Sequence, residues 1–227
     1  MIAPNGDRYG VRAAEPRRDR TVVNHTFTAA FLTVAQYRRW LLPTPPNPPN
    51  AADPIEVVQD YFALRVDHAF RHGLVEVTKG CGAAALWYDH TAGTGIPDDG
   101  HQLPDTTSPY QVRFAALHAA LAKHDPDPAR APHVHLALLA THPDVQEHGH
   151  GTRLLAHRHT TLDAQDRASF VESTGPSNRR LFEKAGYEPR EPGYPRYSIT
   201  DEAGAPVLAP MWRTPSLSVS PQRAGPV

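Results

Sequence analysis

Apolar residues recur with helical spacing in two segments of the first part of the chain. This spacing predicts a helix over 17–32, after a short strand at 9–14, and a second helix over 53–73. Asp53 stands at the N-cap position of the second helix, directly before a proline, and Gly73 stands at its C-cap. The second helix therefore has a start and a stop signal in the sequence.

Short apolar runs predict the strands of a sheet. Residues 74–79 and 83–89 are joined by a glycine turn, which predicts a hairpin. HLALLAT, at 135–141, is apolar without alternation and predicts a strand that is buried on both faces. The remaining predicted elements are a loop at 91–109, helices over 110–126, 150–165 and 177–187, a strand over 168–174, and two closing antiparallel strands within 195–201 and 205–213.

The length of the chain and its proline distribution predict one domain. A chain of 227 residues is long enough for one α/β domain with a hydrophobic core and too short for two of ordinary size. Proline is concentrated in 41–54, 125–132 and 213–227, which predicts loops or irregular ends there. We expect a flexible N-terminus at 1–8, a single domain at 9–213 and a disordered tail at 214–227.

Charge and cysteine content narrow the class of partner. The chain has 23 Lys and Arg against 24 Asp and Glu, so its bulk charge predicts neither a nucleic-acid nor a membrane-surface partner. Cys81 is the one cysteine, which excludes an internal disulfide. The N-terminal residues lack a signal-peptide pattern, and no apolar run approaches the roughly 18 residues of a membrane span. We expect a cytoplasmic protein that is a monomer or a homodimer.

A glycine pair follows the most apolar of the predicted strands. Residues 145–155 read VQEHGHGTRLL, and Gly149 and Gly151 lack the Cβ that would keep an anion away from backbone N–H groups. A nucleotide triphosphatase loop needs Lys-Ser/Thr after its last glycine, whereas Thr152-Arg153 stands here. A dinucleotide-binding loop needs a third glycine, which is also missing. The segment therefore predicts a phosphate site of another kind.

Two motifs stand in order in the second half of the chain. The first is a strand that ends in P-x-x-Q-x-x-G-x-G/A, and the second is an acid on the next strand, an asparagine and F/Y-E-K-x-G-F/Y. The matching positions are Pro143, Gln146, Gly149 and Gly151, then Glu172, Asn178 and 182–187. Together they resemble the GNAT acyltransferase superfamily, and within it the puromycin N-acetyltransferase-like group. Weaker matches lie at 30–31, 40–43, 83–88 and 132–143, so the resemblance covers 10–212.

The resemblance implies the GNAT fold, an α/β (α+β) fold in which helices flank a mixed, mostly antiparallel sheet of six or seven strands. Two parallel strands would splay apart, and acetyl-CoA or another acyl-CoA would bind between them as co-substrate. Its pyrophosphate would lie on backbone N–H groups of 147–152, and its pantetheine would pair with the backbone of 139–141. The implied cofactor-binding residues are Leu139, Ala140, Thr141, Gln146, Glu147, His148, Gly149, His150, Gly151, Thr152, Asn178 and Phe182.

The resemblance also implies catalytic roles. An amine must lose a proton before it attacks a thioester, and Glu172 is the candidate general base. The backbone N–H of Leu139 is the candidate donor to the oxyanion. Asn178 would hold a water molecule or the cofactor near the thioester. Phe182 stands where the family usually has a tyrosine, the acid that protonates the leaving thiolate, and a phenyl ring has no proton to donate.

The acceptor is expected to be an amine of a small molecule. The candidate acceptor-site residues are Trp40, Tyr61, Trp87, His135 and Glu172. Because the resemblance is to antibiotic-modifying enzymes, it suggests an antibiotic or a secondary metabolite as acceptor, and hence a role in antibiotic resistance or secondary metabolism. No metal is expected.

Three alternatives stay open at this point. Glu172 could have a structural role instead of acting as the base, by forming an ion pair with Arg153 or Arg180. The GNAT fold is compatible with O-acyl transfer, a different acyl group, or CoA binding without transfer. Three His-x-His pairs have metal-ligand spacing and would suit a metal-dependent hydrolase. These pairs are His133 with His135, His148 with His150, and His157 with His159.

Overall fold

The computed structural model describes residues 10–34, 53–90, 131–189, 197–198 and 207–216. Residues 1–8, Trp40, the predicted loop at 91–109 and the predicted helix at 110–126 lie outside these ranges. Within them, no helix is long and apolar enough to cross a membrane.

The described helices and strands follow the predicted order. The helices are α1 (Pro16–Thr33), α2 (Pro54–His72), α3 (His150–Ala164) and α4 (Gly175–Lys184). The strands are β1 (Val11–Ala13), β2 (Leu74–Thr78), β3 (Ala83–His90), β4 (His133–Thr141), β5 (Ser169–Thr174), β6 (Glu188–Pro189), β7 (Tyr197–Ser198) and β8 (Val207–Arg213). Asp53 caps α2 by accepting a hydrogen bond from the N–H of Ile55 at 2.9 Å, as its position before the proline predicts.

The strands form one mixed sheet in the order β1-β2-β3-β4-β5-β8-β6, and β7 also pairs with β8. β4 and β5 are parallel, whereas the other described pairs are antiparallel. The predicted sheet type is confirmed. β6 is an additional strand, which the hydrophobic pattern does not reveal because two residues are too short to show alternation.

The two parallel strands separate part-way along their length. Their pairing ends at Leu136 opposite Val171. β4 then continues to Thr141 beside β3, and β5 continues to Thr174 beside β8. A register shift in the β3–β4 ladder leaves Ala137 as an extra residue, so a β-bulge lies where the strands part. The predicted splayed pair is therefore present.

Helices pack on both faces of this sheet. α1 and α2 cover one face, whose buried cluster includes Leu86. α3 and α4 cover the other face, whose buried cluster includes Trp87 and Val171. Successive side chains of a strand point to opposite faces, so Glu172 lies on the face covered by α1 and α2.

α4 begins two residues earlier than the predicted helix at 177–187. Gly175, with a left-handed φ of 72°, turns the chain directly out of β5. Pro176 occupies the first turn of the helix, where its missing N–H leaves no hydrogen bond unmade. The sequence pattern treats this Gly-Pro pair as a loop, whereas here it starts a helix. The helix ends before Gly186, which has a φ of 86°.

A carboxyl group is buried between the sheet and α3. Glu76 of β2 is 4 % exposed, and its Oε1 lies 3.5 Å from Nε2 of His157. Burial raises the pKa of Glu76 to about 7, and the nearby charge of Arg158 offsets this shift only in part. Burial likewise lowers the pKa of His157. The fold therefore favours the neutral forms of both side chains over an ion pair.

We expect Glu76→Gln to stabilise the fold at about pH 8 and to change it little at about pH 5. Glu76 ionises near pH 4.5 in the unfolded chain but only near pH 7 in the folded one. Its effect on the free energy of unfolding is therefore absent below pH 4.5, and the fold loses stability as the pH rises from there through 7. The shift corresponds to about 3 kcal/mol at most. Urea unfolding of both proteins at the two pH values measures the effect, and an equal change at both contradicts it.

Candidate active site

A cavity of about 620 Å³ opens where β4 and β5 separate. It extends from the loop that follows β4, across the separated strands, to α1 and α2. The structure brings many of the predicted site residues together around it. These are Tyr61, Leu139, Ala140, Thr141, Gln146, Glu147, Gly149, His150, Gly151, Thr152, Glu172, Asn178 and Phe182.

The loop between β4 and α3 forms a concave set of backbone N–H groups. Glu147 and Gly149 both have left-handed backbones, with φ of 65° and 74°. Nδ1 of His148 donates to the carbonyl of Gln146 at 2.7 Å, and Arg153 donates to the carbonyl of His148 at 2.6 Å. The N–H groups from Glu147 to Gly149 donate to no other described residue. Left-handed residues within a short segment shape a backbone for binding an anion.

The first turn of α3 adds its own N–H groups to this loop. His150, Gly151 and Thr152 are the first residues of the helix, so their N–H groups have no acceptor within it. A Cβ on Gly151 would lie 3.6 Å from Leu181 and 3.8 Å from Thr141, which are ordinary contacts with two cavity-lining residues. Packing therefore does not require glycine here, but glycine keeps the backbone accessible from the cavity.

The last part of β4 has an edge without a neighbouring strand among the described residues. This edge runs from Ala137 to Thr141 and lines the cavity. The Thr141 carbonyl accepts a hydrogen bond from Nε2 of Gln146 at 3.2 Å, so Gln146 ties the loop to the end of the strand. The residues that we predict to pair with pantetheine through their backbone, Leu139, Ala140 and Thr141, all line the cavity along this edge.

Glu172 follows the last residue of β5 that pairs with β4, and it lines the cavity. Its Oε2 lies 2.8 Å from Nε2 of His135 on β4, and the two side chains are 8 % and 14 % exposed. A carboxylate can only accept hydrogen bonds, so Nε2 donates whenever Glu172 is ionised. Among the described residues, neither Arg153 nor Arg180 forms an ion pair with Glu172.

α4 carries the second motif into the cavity. Nδ2 of Asn178 donates to the hydroxyl of Thr174 at 2.7 Å, which fixes the amide at the start of the helix. Phe182 is 5 % exposed and packs edge-on against Tyr187, with ring centroids 5.6 Å apart. The Tyr187 hydroxyl accepts a hydrogen bond from Ser169 at 2.9 Å in the core. Tyr187 does not line the cavity, so it does not supply the hydroxyl that Phe182 lacks.

Side chains from α1 and α2 close the opposite side of the cavity. Tyr61 lines it as predicted, and Phe31, Phe62 and Arg65 line it in addition. The rings of Phe31 and Phe62 lie 4.8 Å apart. Burial raises the pKa of Tyr61, and the charge of Arg65 opposes this shift. The sequence does not identify Phe62 as a site residue, because an apolar residue at helical spacing is expected equally in a cavity wall and in the core.

Three of the predicted residues do not line the cavity: His135, which contacts Glu172 beside it, Trp87 and His148. Trp87 is 1 % exposed on the face covered by α3 and α4, with the guanidinium of Arg158 lying 6.0 Å from its ring centroid. Strand alternation explains this, because its neighbour Leu86 faces α1 and α2. We therefore do not include Trp87 in the acceptor site. His148 is exposed and contributes to the loop through its ring and carbonyl.

In the His-x-His pairs, the ring nitrogens that have a polar partner contact different groups. His133 donates from Nδ1 to the Ala131 carbonyl, at 2.8 Å. Nε2 of His159 lies 3.2 Å from the Tyr187 hydroxyl, on the other side of α3 from the contact between His157 and Glu76. Within the described ranges, no three His, Cys, Asp or Glu side chains are placed to hold a metal ion together.

Solved structures that share this architecture include acetyltransferases. A Corynebacterium glutamicum protein described as histone acetyltransferase HPA2 and related acetyltransferase is 19 % identical, with a TM-score of 0.54 over 92 % of this chain and 98 % of its own. Arylalkylamine N-acetyltransferase 2 from Aedes aegypti is 12 % identical, with a TM-score of 0.57 over 91 % and 99 %. The C-terminal condensation domain of Ebony, solved with beta-alanyl-dopamine, is 15 % identical, with a TM-score of 0.55 over 90 % and 97 %.

These likenesses confirm the predicted fold. At such low identity they show the fold alone, and the puromycin N-acetyltransferase-like subgroup stays a prediction. No protein-family model matches the chain, and no curated protein matches it.

Proposed function

We propose that the protein is an acyl-CoA-dependent N-acyltransferase of the GNAT superfamily that acts on an amine of a small molecule. The observation that carries the proposal is the cavity at the separation of β4 and β5. It has a concave set of N–H groups at one end and the carboxyl group of Glu172 in its wall. The acetyltransferase fold of the chain supports the same reaction class.

The residues at the loop fit the pyrophosphate of CoA. The N–H groups of Glu147, His148 and Gly149 and those of the first turn of α3 have no acceptor among the described residues, and the helix end adds a partial positive charge. The edge of β4, which has no neighbouring strand within the described part of the chain, suits the amide groups of pantetheine. Acyl-CoA supplies an activated thioester, and the Leu139 N–H is our candidate donor to its carbonyl oxygen.

Glu172 is our candidate for the general base. It lies on the α1–α2 side of the sheet, where the aromatic side chains of Phe31, Tyr61 and Phe62 form the wall. An amine bound against that wall gives up its proton to the Glu172 carboxylate as the new C–N bond forms. The aromatic wall favours an amine that carries an aromatic ring.

The leaving thiolate would depart without a phenol at position 182. A thiol has a pKa of only about 8.5, so the thiolate leaves near neutral pH without an acid at that position. Phe182 then contributes shape rather than a proton, because its ring fills the cavity wall beside Tyr187. Asn178, held by Thr174, is our candidate for orienting the thioester end of the co-substrate.

The biological role we propose follows from the acceptor class. The aromatic wall is compatible with an arylalkylamine or with an aromatic antibiotic. Arylalkylamine acetylation is the reaction that the name of one similar structure states for that protein. The role in modifying an antibiotic or a secondary metabolite that we propose is supported only by the sequence resemblance to the puromycin N-acetyltransferase-like group.

Calorimetry with acetyl-CoA, followed by a thiol-release assay against a panel of aromatic and aliphatic amines, tests the proposed function. We expect binding that a chelator does not change, and CoA release that is fastest with an aromatic amine. Absence of acetyl-CoA binding contradicts the proposal. Binding without thiol release from any amine, or release with alcohols only, contradicts N-acyl transfer. Loss of activity on adding the chelator would point to the metal-dependent alternative.

A further inference from the structure

We infer that His135 is a positioning residue for Glu172, which it holds at the cavity by donating Nε2–H to Oε2. The contact is observed at 2.8 Å between two largely buried side chains. The catalytic consequence of this contact rests on the proposed function, whereas the contact itself does not. Its effect would pass through Glu172, because His135 does not line the cavity.

The place of His135 in the sheet explains why it is suited to this role. His135 lies in the last part of β4 that still pairs with β5, opposite Phe170. Glu172 stands two residues beyond Phe170, where β5 has left β4. The contact thus ties a side chain on the separated part of β5 back to the part of β4 that is still paired with β5.

The ring of His135 is itself held in place by its neighbours. The ring of Phe170 lies 5.3 Å away and that of His90 lies 5.7 Å away. His90 in turn stacks on His133, with ring centroids 5.0 Å apart and planes 1° apart. A packed ring loses little further freedom when it donates a hydrogen bond, so the donor is already oriented.

A carboxylate that accepts a hydrogen bond is easier to ionise than one that does not. Removing the His135 donor is therefore expected to raise the pH at which Glu172 becomes an effective base. Among the described residues, the titratable or charged groups near the pair include His90 and Asp89 from β3, His133 from β4, and Tyr61 and Arg65 from α2. All of them stay in place in a variant that changes residue 135 alone.

His135→Leu and His135→Gln together test the inference by kinetics. We expect His135→Leu to lower kcat by about 30-fold, within the range for losing part of general-base catalysis, and to move the acid limb of the kcat profile to higher pH. The KM for acetyl-CoA should change less than about twofold, since the loop is untouched. His135→Gln keeps an N–H donor and should recover much of kcat. His133→Leu, on the same strand and two residues away, is the matched control for disturbing the histidine cluster.

A measurement without turnover separates this inference from the proposed function. In protein labelled with 15N at histidine, with the His135 signal assigned from its loss in His135→Gln, we expect Nε2 to be protonated. That signal should move in Glu172→Gln. A His135 that is protonated only at Nδ1, or that does not respond to Glu172→Gln, overturns the inference even where no acceptor is found. An unshifted acid limb in His135→Leu, or a His135→Gln as slow as His135→Leu, also overturns it.

Discussion

Glu172→Gln is expected to lower kcat by about two to three orders of magnitude, because general-base catalysis contributes a factor of this size. Glutamine has nearly the same shape as glutamate and its carbonyl oxygen still accepts the hydrogen bond from His135, so the cavity wall keeps its form. What is lost is the ability to take a proton from the amine. Steady-state thiol release at saturating acetyl-CoA measures the effect.

The affinity for acetyl-CoA should change less than about twofold in the same variant, because the N–H groups of the loop are unaltered. Glu183→Gln is the matched control. Glu183 is an exposed carboxylate on α4 that pairs with Arg179 at 2.8 Å, and its loss should leave turnover unchanged. Equal kcat for Glu172→Gln and the parent would remove Glu172 as the base. A parallel loss of acetyl-CoA affinity would instead assign Glu172 to the co-substrate site.

The parts of this site that depend on neighbouring residues in the chain can be predicted from the sequence. Gly149 and Gly151 belong to one loop, so their spacing in the sequence identifies the concave set of N–H groups without knowledge of the rest of the fold. The same holds for the helix that begins at His150 and for the strands on either side. Each follows from spacing within about ten residues, where local geometry dominates.

The parts that depend on the pairing of distant segments cannot be predicted in this way. The contact between His135 and Glu172 joins residues 37 positions apart, and it depends on the register in which β4 meets β5. The bulge at Ala137 depends on β3 as much as on β4. Trp87 differs from these residues, because its position follows from local geometry. Side chains alternate along β3, so Trp87 lies on the face covered by α3 and α4 while its neighbour Leu86 lies on the other.

Gly149→Val is expected to weaken acetyl-CoA binding by about a hundredfold or more, the loss of one to two hydrogen bonds to a charged group. Gly149 has a φ of 74°, a conformation that a β-branched residue rarely adopts, so the loop must change shape to accept valine. A Cβ at this position would meet no atom within 4 Å, so the effect comes from the backbone and not from a clash. Calorimetry with acetyl-CoA measures it.

Gly80→Val is the matched control, since Gly80 has a φ of 78° and equally open surroundings but lies in the turn between β2 and β3. Both variants should lose about 1–2 kcal/mol of folding stability, because the left-handed conformation costs a residue with a Cβ about that much. Only Gly149→Val should lose affinity for acetyl-CoA. Acetyl-pantetheine lacks the pyrophosphate, so its use as an acyl donor should be affected little by Gly149→Val. Equal losses for the two donors would show that the loop serves the fold of the cavity and does not bind the pyrophosphate.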